Sequence, residues 1–252
     1  MQIQLKNISK NYKENLLIEN MDLELNAGDI FCLLGKNGVG KTTLMEIILS
    51  LTPANSGEIL IDGKNLKNLK NAFKMRTGAA MGSRYLPEGL TLNEYLRLLG
   101  SIYNVEKVTC NQRISALMNL FFGQDNEAKK PIKYFSSGMR QKAAICAALI
   151  HNPDLLLLDE PFSFLDPAAC SNLCELLLAL RTKGKSILLS SHDLLYVDKV
   201  ATHIGVINDK KFIFNDTYNS FKTKDNFFEE NRTLREVLAY NTNCKEEVLN
   251  LF

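Results

Sequence analysis

The stretch Gly35-Lys36-Asn37-Gly38-Val39-Gly40-Lys41-Thr42-Thr43 indicates how this chain folds. It matches the pattern G-x-x-x-x-G-K-[ST], a glycine-rich loop that joins a strand to a helix and cradles phosphate groups. Residues 30–34 form an apolar run of strand length before it, and residues 44–49 are typical of the first turns of a helix. This order of strand, loop and helix is the context that the pattern requires, so it outweighs a chance match in a glycine-rich turn.

The residue types of this loop suit a nucleotide and a magnesium ion. Glycines allow the backbone to turn its N–H groups toward phosphate oxygens, and the N-terminus of the helix adds partial positive charge. Lys41 is expected to contact the β- and γ-phosphates, Thr42 to place its hydroxyl on Mg²⁺, and Thr43 to lie near the α-phosphate. The predicted nucleotide-binding residues of the loop are Gly35, Asn37, Gly38, Gly40, Lys41, Thr42 and Thr43.

Three further apolar runs, residues 155–158, 187–189 and 204–207, are predicted to be buried strands. A helix between the first two is indicated by Asp166 as its N-cap and by Pro167 in its first turn. Apolar strands that alternate with helices predict a parallel sheet covered on both faces.

Polar side chains follow the predicted strands. Asp159 and Glu160 come directly after one run, and His192 follows the next. Ligands bind such sheets at the carboxyl ends of the strands, so these residues are expected to converge with the loop at Gly35. We expect Asp159 to hold Mg²⁺ through water, Glu160 to polarise the attacking water, and His192 to contact the γ-phosphate. The alternatives are a solvated acidic turn and a structural histidine.

The rest of the chain divides into a β-rich start and a mostly helical middle. A capping box, in which Glu94 lies three residues after Thr91, is expected to open a helix. Tyr12, just after the first predicted strand, offers a face on which a nucleobase can stack, although an ordinary surface tyrosine explains it equally well. The other predicted elements are strands near residues 2–6, 18–25 and 57–63 and a helix over 114–122.

Composition places the chain among ordinary globular proteins. Of its 252 residues, 46% are hydrophobic and 23% charged, and the net charge of +2 gives no strong attraction for nucleic acid. No apolar run approaches the roughly 18 residues of a membrane span, and the N-terminus alternates like a strand rather than a signal peptide. These features predict a cytosolic protein with no nucleic-acid partner.

Together these motifs resemble the nucleotide-binding domain of ABC (ATP-binding cassette) transporters, from Met1 to about Asn215. Phe135-Ser136-Ser137-Gly138-Met139-Arg140-Gln141 resembles the signature sequence of that family, and Phe164-Leu165-Asp166 resembles the loop after its catalytic glutamate. Tyr12 matches the aromatic residue that stacks on adenine, and His192 matches the switch histidine. No single motif is specific, but the full set in this order is.

The resemblance implies an α/β fold: a P-loop NTPase core with a mostly parallel sheet, an N-terminal antiparallel β subdomain and an inserted helical subdomain at about 86–150. We place one nucleotide-binding domain over residues 1–252. Beyond the resemblance, a second capping box, formed by Thr233 and Glu236, predicts a helical tail from about 216 to 252. The resemblance also implies an ATPase that uses ATP and Mg²⁺ to power transport through a membrane permease on a separate chain. Such a subunit lies in the cytoplasm, at the inner face of the cell membrane.

The resemblance further implies a homodimer or heterodimer of nucleotide-binding domains. In the family, each signature sequence closes on the ATP of the partner, which assigns Ser136 and Gly138 to nucleotide binding across the interface. A serine hydroxyl and free N–H groups at a helix N-terminus form an anion site. A simple serine N-cap explains the same residues.

The sequence departs from the family pattern in two places. Ser137 and Met139 replace a glycine and a glutamine of the signature, a variant seen in multicomponent exporters, which favours export. The glutamine that contacts Mg²⁺ and faces the membrane subunit is missing near Gly82 or Ser83. The alternative function is therefore a soluble ABC ATPase or a nucleotide switch with weak hydrolysis that is not coupled to transport.

Overall fold

A computed structural model describes residues 1–82, 85–123, 126–192 and 194–223 of the chain. The strands are β1 (Ile3–Tyr12), β2 (Asn15–Leu25), β3 (Ile30–Leu34), β4 (Ser56–Ile61), β5 (Lys64–Asn65), β6 (Thr77–Ala80), β7 (Leu155–Leu158), β8 (Ser186–Ser191), β9 (His203–Asn208) and β10 (Lys211–Thr217). The helices are α1 (Lys41–Ile48), α2 (Lys70–Met75), α3 (Leu92–Ile102), α4 (Lys107–Phe121), α5 (Ser137–Leu149), α6 (Pro167–Thr182), α7 (Leu194–Val200) and α8 (Tyr218–Thr223).

The strands form two sheets. A six-stranded sheet has the order β10-β9-β3-β8-β7-β6, and all its neighbouring strands are parallel except the β9–β10 pair. A four-stranded antiparallel sheet has the order β2-β1-β4-β5. Helices α3, α4 and α5 lie between β6 and β7 in the chain. The predicted α/β fold is confirmed, with a mostly parallel core sheet, an N-terminal antiparallel sheet and inserted helices.

The central strands are buried on both faces, which explains their unbroken apolar runs. Every residue of β3 and of β7 is buried. Ile30 and Cys32 point into a core shared with the inserted helices, while Phe31 packs on the opposite face with α1 and the N-terminal sheet. Each fully buried aliphatic or aromatic side chain contributes about 1.5–3 kcal/mol, so neither face of the sheet tolerates a polar residue without a partner.

The first strand is longer than the sequence predicts. It continues from the expected residues 2–6 to Tyr12, so Tyr12 ends the strand instead of following it. Asn7 has a left-handed backbone with φ of 52°, and the pairing of β1 with β2 shifts between Leu5 and Ile8. This irregularity breaks the alternation of apolar residues, so the sequence pattern ends before the strand does.

Two helix starts illustrate what capping signals reveal. The predicted capping box is confirmed at α3, where the Glu94 N–H donates to Thr91 Oγ1 and the Thr91 N–H donates to the Glu94 carboxylate. The second helix begins at Lys107, not at residue 114 as predicted. Its cap is Glu106, whose carboxylate accepts N–H groups 2.9 and 2.7 Å away from the first turn. Glutamate is not among the preferred N-cap residues, so no capping signal marks this start.

The first helix of the predicted C-terminal tail starts shortly after the expected position near residue 216. Strand β10 includes Asp216 and Thr217, and the first helix of the expected tail, α8, begins only at Tyr218. The capping box predicted at Thr233 lies outside the described residues, and the single domain over 1–252 stays a prediction. None of the helices in the described ranges is both long and apolar enough to cross a membrane.

Candidate functional site

The phosphate loop joins the buried end of β3 to the start of α1 at Lys41. Its glycines have left-handed backbones, with φ of 154° at Gly35 and 113° at Gly40. A Cβ atom on Gly35 would lie 2.7 Å from the carbonyl oxygen of Ile207, and one on Gly40 would lie 3.2 Å from the side chain of Ile18. The backbone angles and the close neighbours therefore both favour glycine at these two positions.

Lys41 is a buried cation held inside this loop. Its side chain is 5% exposed, and its Nζ donates to the carbonyl oxygens of Gly35 at 2.6 Å and Lys36 at 3.3 Å. The same ammonium lies 3.4 Å from Glu160 Oε1. The loop thus places a positive charge at its centre before any anion is added.

Asp159, which follows β7, bonds both to helix α1 and to strand β8. Its Oδ2 accepts a hydrogen bond from Thr42 Oγ1 at 2.7 Å, and its Oδ1 accepts one from Ser190 Oγ at 2.6 Å. The Ser190 hydroxyl in turn accepts the N–H of Glu160 at 2.8 Å. Ser190 is fully buried and was not among the predicted site residues. The only signal for it was its place at the end of an apolar run.

Thr42 and Asp159 suit a magnesium ion. Mg²⁺ prefers oxygen ligands and is commonly held by one or two protein groups together with substrate phosphates and water. The adjacent hydroxyl and carboxylate provide such a pair. In the ranges that the structure describes, no group of three or more His, Cys, Asp and Glu side chains is placed to hold a metal. With Thr42 and Asp159 as protein ligands, a Mg²⁺ ion would take its other ligands from phosphate and water.

Glu160 follows the carboxyl end of β7 and lies between Lys41 and His192. Its Oε2 is 2.8 Å from His192 Nδ1 and also accepts the main-chain N–H of His192 at 3.3 Å. Its Oε1 makes no hydrogen bond to the described part of the chain and faces Lys41. The carboxylate thus has one oxygen oriented by the histidine and the other turned toward the phosphate loop.

These groups line a single cavity of about 130 Å³. Gly35 and His192 lie just outside it, bonded to Lys41 and Glu160. Besides Lys36, which was not predicted, its lining brings together eight of the predicted site residues: Asn37, Gly38, Gly40, Lys41, Thr42, Thr43, Asp159 and Glu160.

Tyr12 is not part of this cavity. It is 48% exposed at the tip of the β1–β2 hairpin, and Lys10 Nζ lies 5.0 Å from the centre of its ring. Leu17 and Ile18 of the same hairpin contact the phosphate loop at Gly40. The hairpin therefore borders the site and leaves the tyrosine ring accessible.

Comparison with known proteins identifies the family. A family model described as "ABC transporter" matches residues 18–163, more than half of the chain. The chain belongs to the ABC transporter family. It is the ATP-binding, ATP-hydrolysing subunit of such a system, and its ATPase activity powers transport. The uncoupled alternative receives no support, because the similar proteins are ATP-binding subunits of transport systems.

Two relatives and two structures illustrate the similarity of this ABC ATPase. Nod factor export ATP-binding protein I of Cupriavidus metallidurans is 32% identical over 206 residues, which cover 82% of the chain and 68% of the relative. Lantibiotic transport ATP-binding protein SrtF of Streptococcus pyogenes is 30% identical over 228 residues, which cover 90% of the chain and 95% of the relative. The solved ATP-binding subunit of an ABC transporter has a TM-score of 0.84 at 27% identity and covers 96% of this chain and 100% of its own. A nucleotide-free ATP-binding cassette has a TM-score of 0.74 at 20% identity and covers 88% of this chain and 94% of its own. This second structure supports the fold.

The signature residues of this ABC ATPase lie at the N-terminus of α5, outside the cavity. Ser136 is the N-cap, and its hydroxyl accepts the N–H of Met139 at 3.2 Å, which is the N-cap arrangement noted as the alternative. A Cβ on Gly138 would lie 2.6 Å from the carbonyl oxygen of Phe164. Glycine at this position thus allows the loop after Glu160 to pack against the helix, a role that was not predicted for Gly138.

The position of the missing glutamine follows β6. Gly82 has a left-handed backbone with φ of 89°, and a Cβ built there meets no atom within 4 Å. Ser83 lies outside the described residues. The effect of the missing amide on hydrolysis or coupling stays a prediction.

Proposed function

We propose that this ABC ATPase hydrolyses ATP with Mg²⁺ in the cavity that the phosphate loop forms with Asp159 and Glu160. The observation that carries the proposal is one small cavity lined by the hydrogen-bonded pair Thr42 and Asp159 and by the ion pair of Lys41 and Glu160. A buried cation, a hydroxyl and a carboxylate pair are components that phosphoryl transfer needs.

Binding is assigned to the loop and the hairpin. Gly35, Asn37, Gly38 and Gly40 shape the backbone that surrounds the phosphates, and Lys41, Thr42 and Thr43 add side-chain contacts. Tyr12 stacks on the adenine from the hairpin that borders the loop. Thr42 and Asp159 would hold Mg²⁺, which neutralises phosphate charge when it is bound.

Hydrolysis is assigned to Glu160 with His192. The anionic phosphates compete for the Lys41 ammonium, which now lies 3.4 Å from Glu160 Oε1. Loss of this ion pair leaves Oε1 available to accept a proton from the attacking water. The bond from His192 to Oε2 fixes the direction of the carboxylate, and the imidazole lies at the strand end from which it would contact the γ-phosphate.

Ser136 and Gly138 are assigned to the ATP of a second nucleotide-binding domain, identical or related. Both lie outside the cavity of their own chain, and the exposed N-terminus of α5 is suited to a phosphate brought by another subunit. In such a dimer, each ATP lies between the phosphate loop of one subunit and the signature residues of the other.

A mixture of two inactive variants tests this arrangement. Lys41→Ala removes the phosphate loop cation, and Ser136→Arg blocks the signature. A mixed dimer contains one site with both lesions and one intact site, so we expect ATPase activity to recover to about a quarter of the wild-type value on mixing, if association is random and the sites act independently. Each variant alone is the control. A structure with ATP in which Ser136 contacts the γ-phosphate bound to its own chain would contradict the dimer.

The membrane partner is proposed to bind a groove between the core sheet and the inserted helices. The groove has a volume of about 330 Å³, and Leu51 at its rim is 61% exposed. Thr77 and Ala79 of β6, which lead to Gly82, also line it. The position next to the missing glutamine and the apolar lining favour a permease segment at the inner face of the membrane. Its other apolar residues include Leu49, Phe73, Tyr95, Leu99 and Tyr103.

Export is the direction we propose, because relatives are named for Nod factor export and for lantibiotic and bacitracin transport. The test is ATP hydrolysis by the purified subunit with and without its permease, in vesicles with substrate inside or outside; a multi-helix membrane protein encoded by a neighbouring gene would be the first candidate for that permease. We expect activity to depend on Mg²⁺ and to rise with the membrane protein. Equal activity in both conditions would contradict coupling.

Leu51→Asp is expected to reduce stimulation by the membrane protein about tenfold or more, while the basal ATPase rate stays unchanged. A buried carboxylate in an apolar interface leaves an unpaired charge, which costs several kcal/mol. Val108→Asp is the matched control, because Val108 is similarly exposed, at 62%, but lies outside the groove. Full stimulation of the Leu51 variant would place the partner elsewhere.

A further inference from the structure

The amide of Gln141 contacts the loop that carries Glu160. Gln141 lies in the second turn of α5 and is only 5% exposed. Its Nε2 is 3.3 Å from the carbonyl oxygen of Glu160 and 3.3 Å from that of Pro161. A primary amide has an N–H for each of these acceptors, so one side chain can hold two successive peptide groups.

The backbone that Gln141 holds is strained. Glu160 has a φ of 48°, in the left-handed region that is costly for a residue with a side chain. Pro161 follows it, and a proline favours extended backbone in the residue before it. Such a conformation persists only when its surroundings impose it, so the contacts of this peptide determine where the Glu160 side chain points.

These contacts hold both ends of the Glu160 residue. Its N–H donates to Ser190 Oγ at 2.8 Å, on the side of the core sheet. Its carbonyl oxygen accepts the N–H of Ser163 at 3.1 Å and the Gln141 amide, on the side of α5. The Ser163 bond closes a turn within the loop, whereas Gln141 ties that turn to a separate helix.

Two other contacts join α5 to the same loop. The carbonyl oxygen of Phe164 packs against Gly138, and Lys142 Nζ forms an ion pair with Asp166 at 2.8 Å. Gln141 lies between these contacts in the helix and is the one that reaches Glu160 itself. The first turns of α5 and the loop therefore form one packed unit around the Gln141 amide.

We infer that Gln141 is a positioning residue for hydrolysis. Its two hydrogen bonds hold the main chain of Glu160 in the conformation that directs the carboxylate between Lys41 and the water to be activated. The inference rests on the proposed role of Glu160 and extends it, because it adds a buried residue of the inserted helices to the control of the catalytic carboxylate.

The test compares Gln141→Met and Gln141→Glu in the full-length protein. Methionine keeps the volume and removes both donors, and we expect kcat to fall about tenfold to a hundredfold, since small misplacements of a reacting group have effects of this size. The KM and the Kd for ATP are expected to stay within about twofold, because no contact of Gln141 reaches the phosphate loop. The same substitutions at Gln112, an exposed glutamine of α4, are the matched controls.

A pH profile distinguishes hydrogen bonding from packing. Gln141→Glu is nearly isosteric; its protonated carboxyl group has an O–H donor, whereas its ionised form has none and repels both carbonyl oxygens. Burial beside these oxygens raises the pKa of the introduced carboxyl group. The ratio of its kcat to that of the wild type is expected to be several times higher at pH 6 than at pH 8.5. This variant also keeps the test decisive if the methionine variant does not fold.

Three outcomes are separable. A fall in kcat at unchanged Kd, with the pH-dependent ratio, supports the inference. Wild-type kcat in both variants, or a pH-independent loss that only follows the melting temperature, overturns it. If Glu160→Gln hydrolyses ATP like the wild type, the proposed function of Glu160 fails instead, whatever the Gln141 variants show.

Discussion

Lys41→Ala is expected to weaken ATP binding roughly 10²- to 10⁴-fold. Hydrogen bonds to charged groups contribute about 1.5–3 kcal/mol each, and the ammonium is positioned to donate at least two of them to the β- and γ-phosphates. The side chain is 5% exposed inside the loop, so water and more distant cations cannot take its place. Among the described residues, the other lysine that lines the cavity is Lys36, whose side chain is exposed.

Calorimetric titration with ATP measures this effect, and the rise in melting temperature with added ATP gives an independent measure. Lys64→Ala, at an exposed lysine of β5, is the control and should bind ATP like the wild type. An unchanged affinity of the Lys41 variant would remove the loop from nucleotide binding.

Glu160→Gln is expected to slow hydrolysis about 10²- to 10⁴-fold and to preserve ATP binding. The amide has nearly the shape of the carboxylate but cannot accept a proton from the attacking water. It also removes the ion pair at 3.4 Å with Lys41, so the lysine is released to the phosphates at no cost and ATP affinity should stay equal or increase. The variant should therefore accumulate as an ATP-bound dimer.

Single-turnover kinetics and size-exclusion chromatography with ATP or ADP measure these two consequences. Glu175→Gln, at an exposed glutamate of α6, is the matched control. Hydrolysis at the wild-type rate by the Glu160 variant would exclude Glu160 from the mechanism. Dimers that form equally with ADP would contradict a contact between the γ-phosphate and Ser136.

Features that depend on neighbouring residues were predictable from the sequence. The phosphate loop, the acidic pair after a buried strand and the Thr91 capping box all involve groups only a few positions apart. Their geometry follows from local backbone rules, so the spacing of residue types is sufficient to recognise them. The bounds of two elements, β1 and α4, were predicted wrongly, also for local reasons. The left-handed Asn7 disturbs the strand pattern of β1, and Glu106 caps α4 without being a preferred N-cap residue.

The α/β class, the order of the elements and the residue types that a nucleotide site needs thus follow from local sequence patterns. Which distant groups hold those residues in place depends on tertiary packing. Ser190 is 31 positions from Asp159, and Gln141 is 19 positions before Glu160. Ser190 nevertheless donates a hydrogen bond to Asp159, and Gln141 donates one to Glu160. Such contacts depend on how strands and helices pack, and packing juxtaposes residues at separations for which the chain provides no repeat or spacing rule.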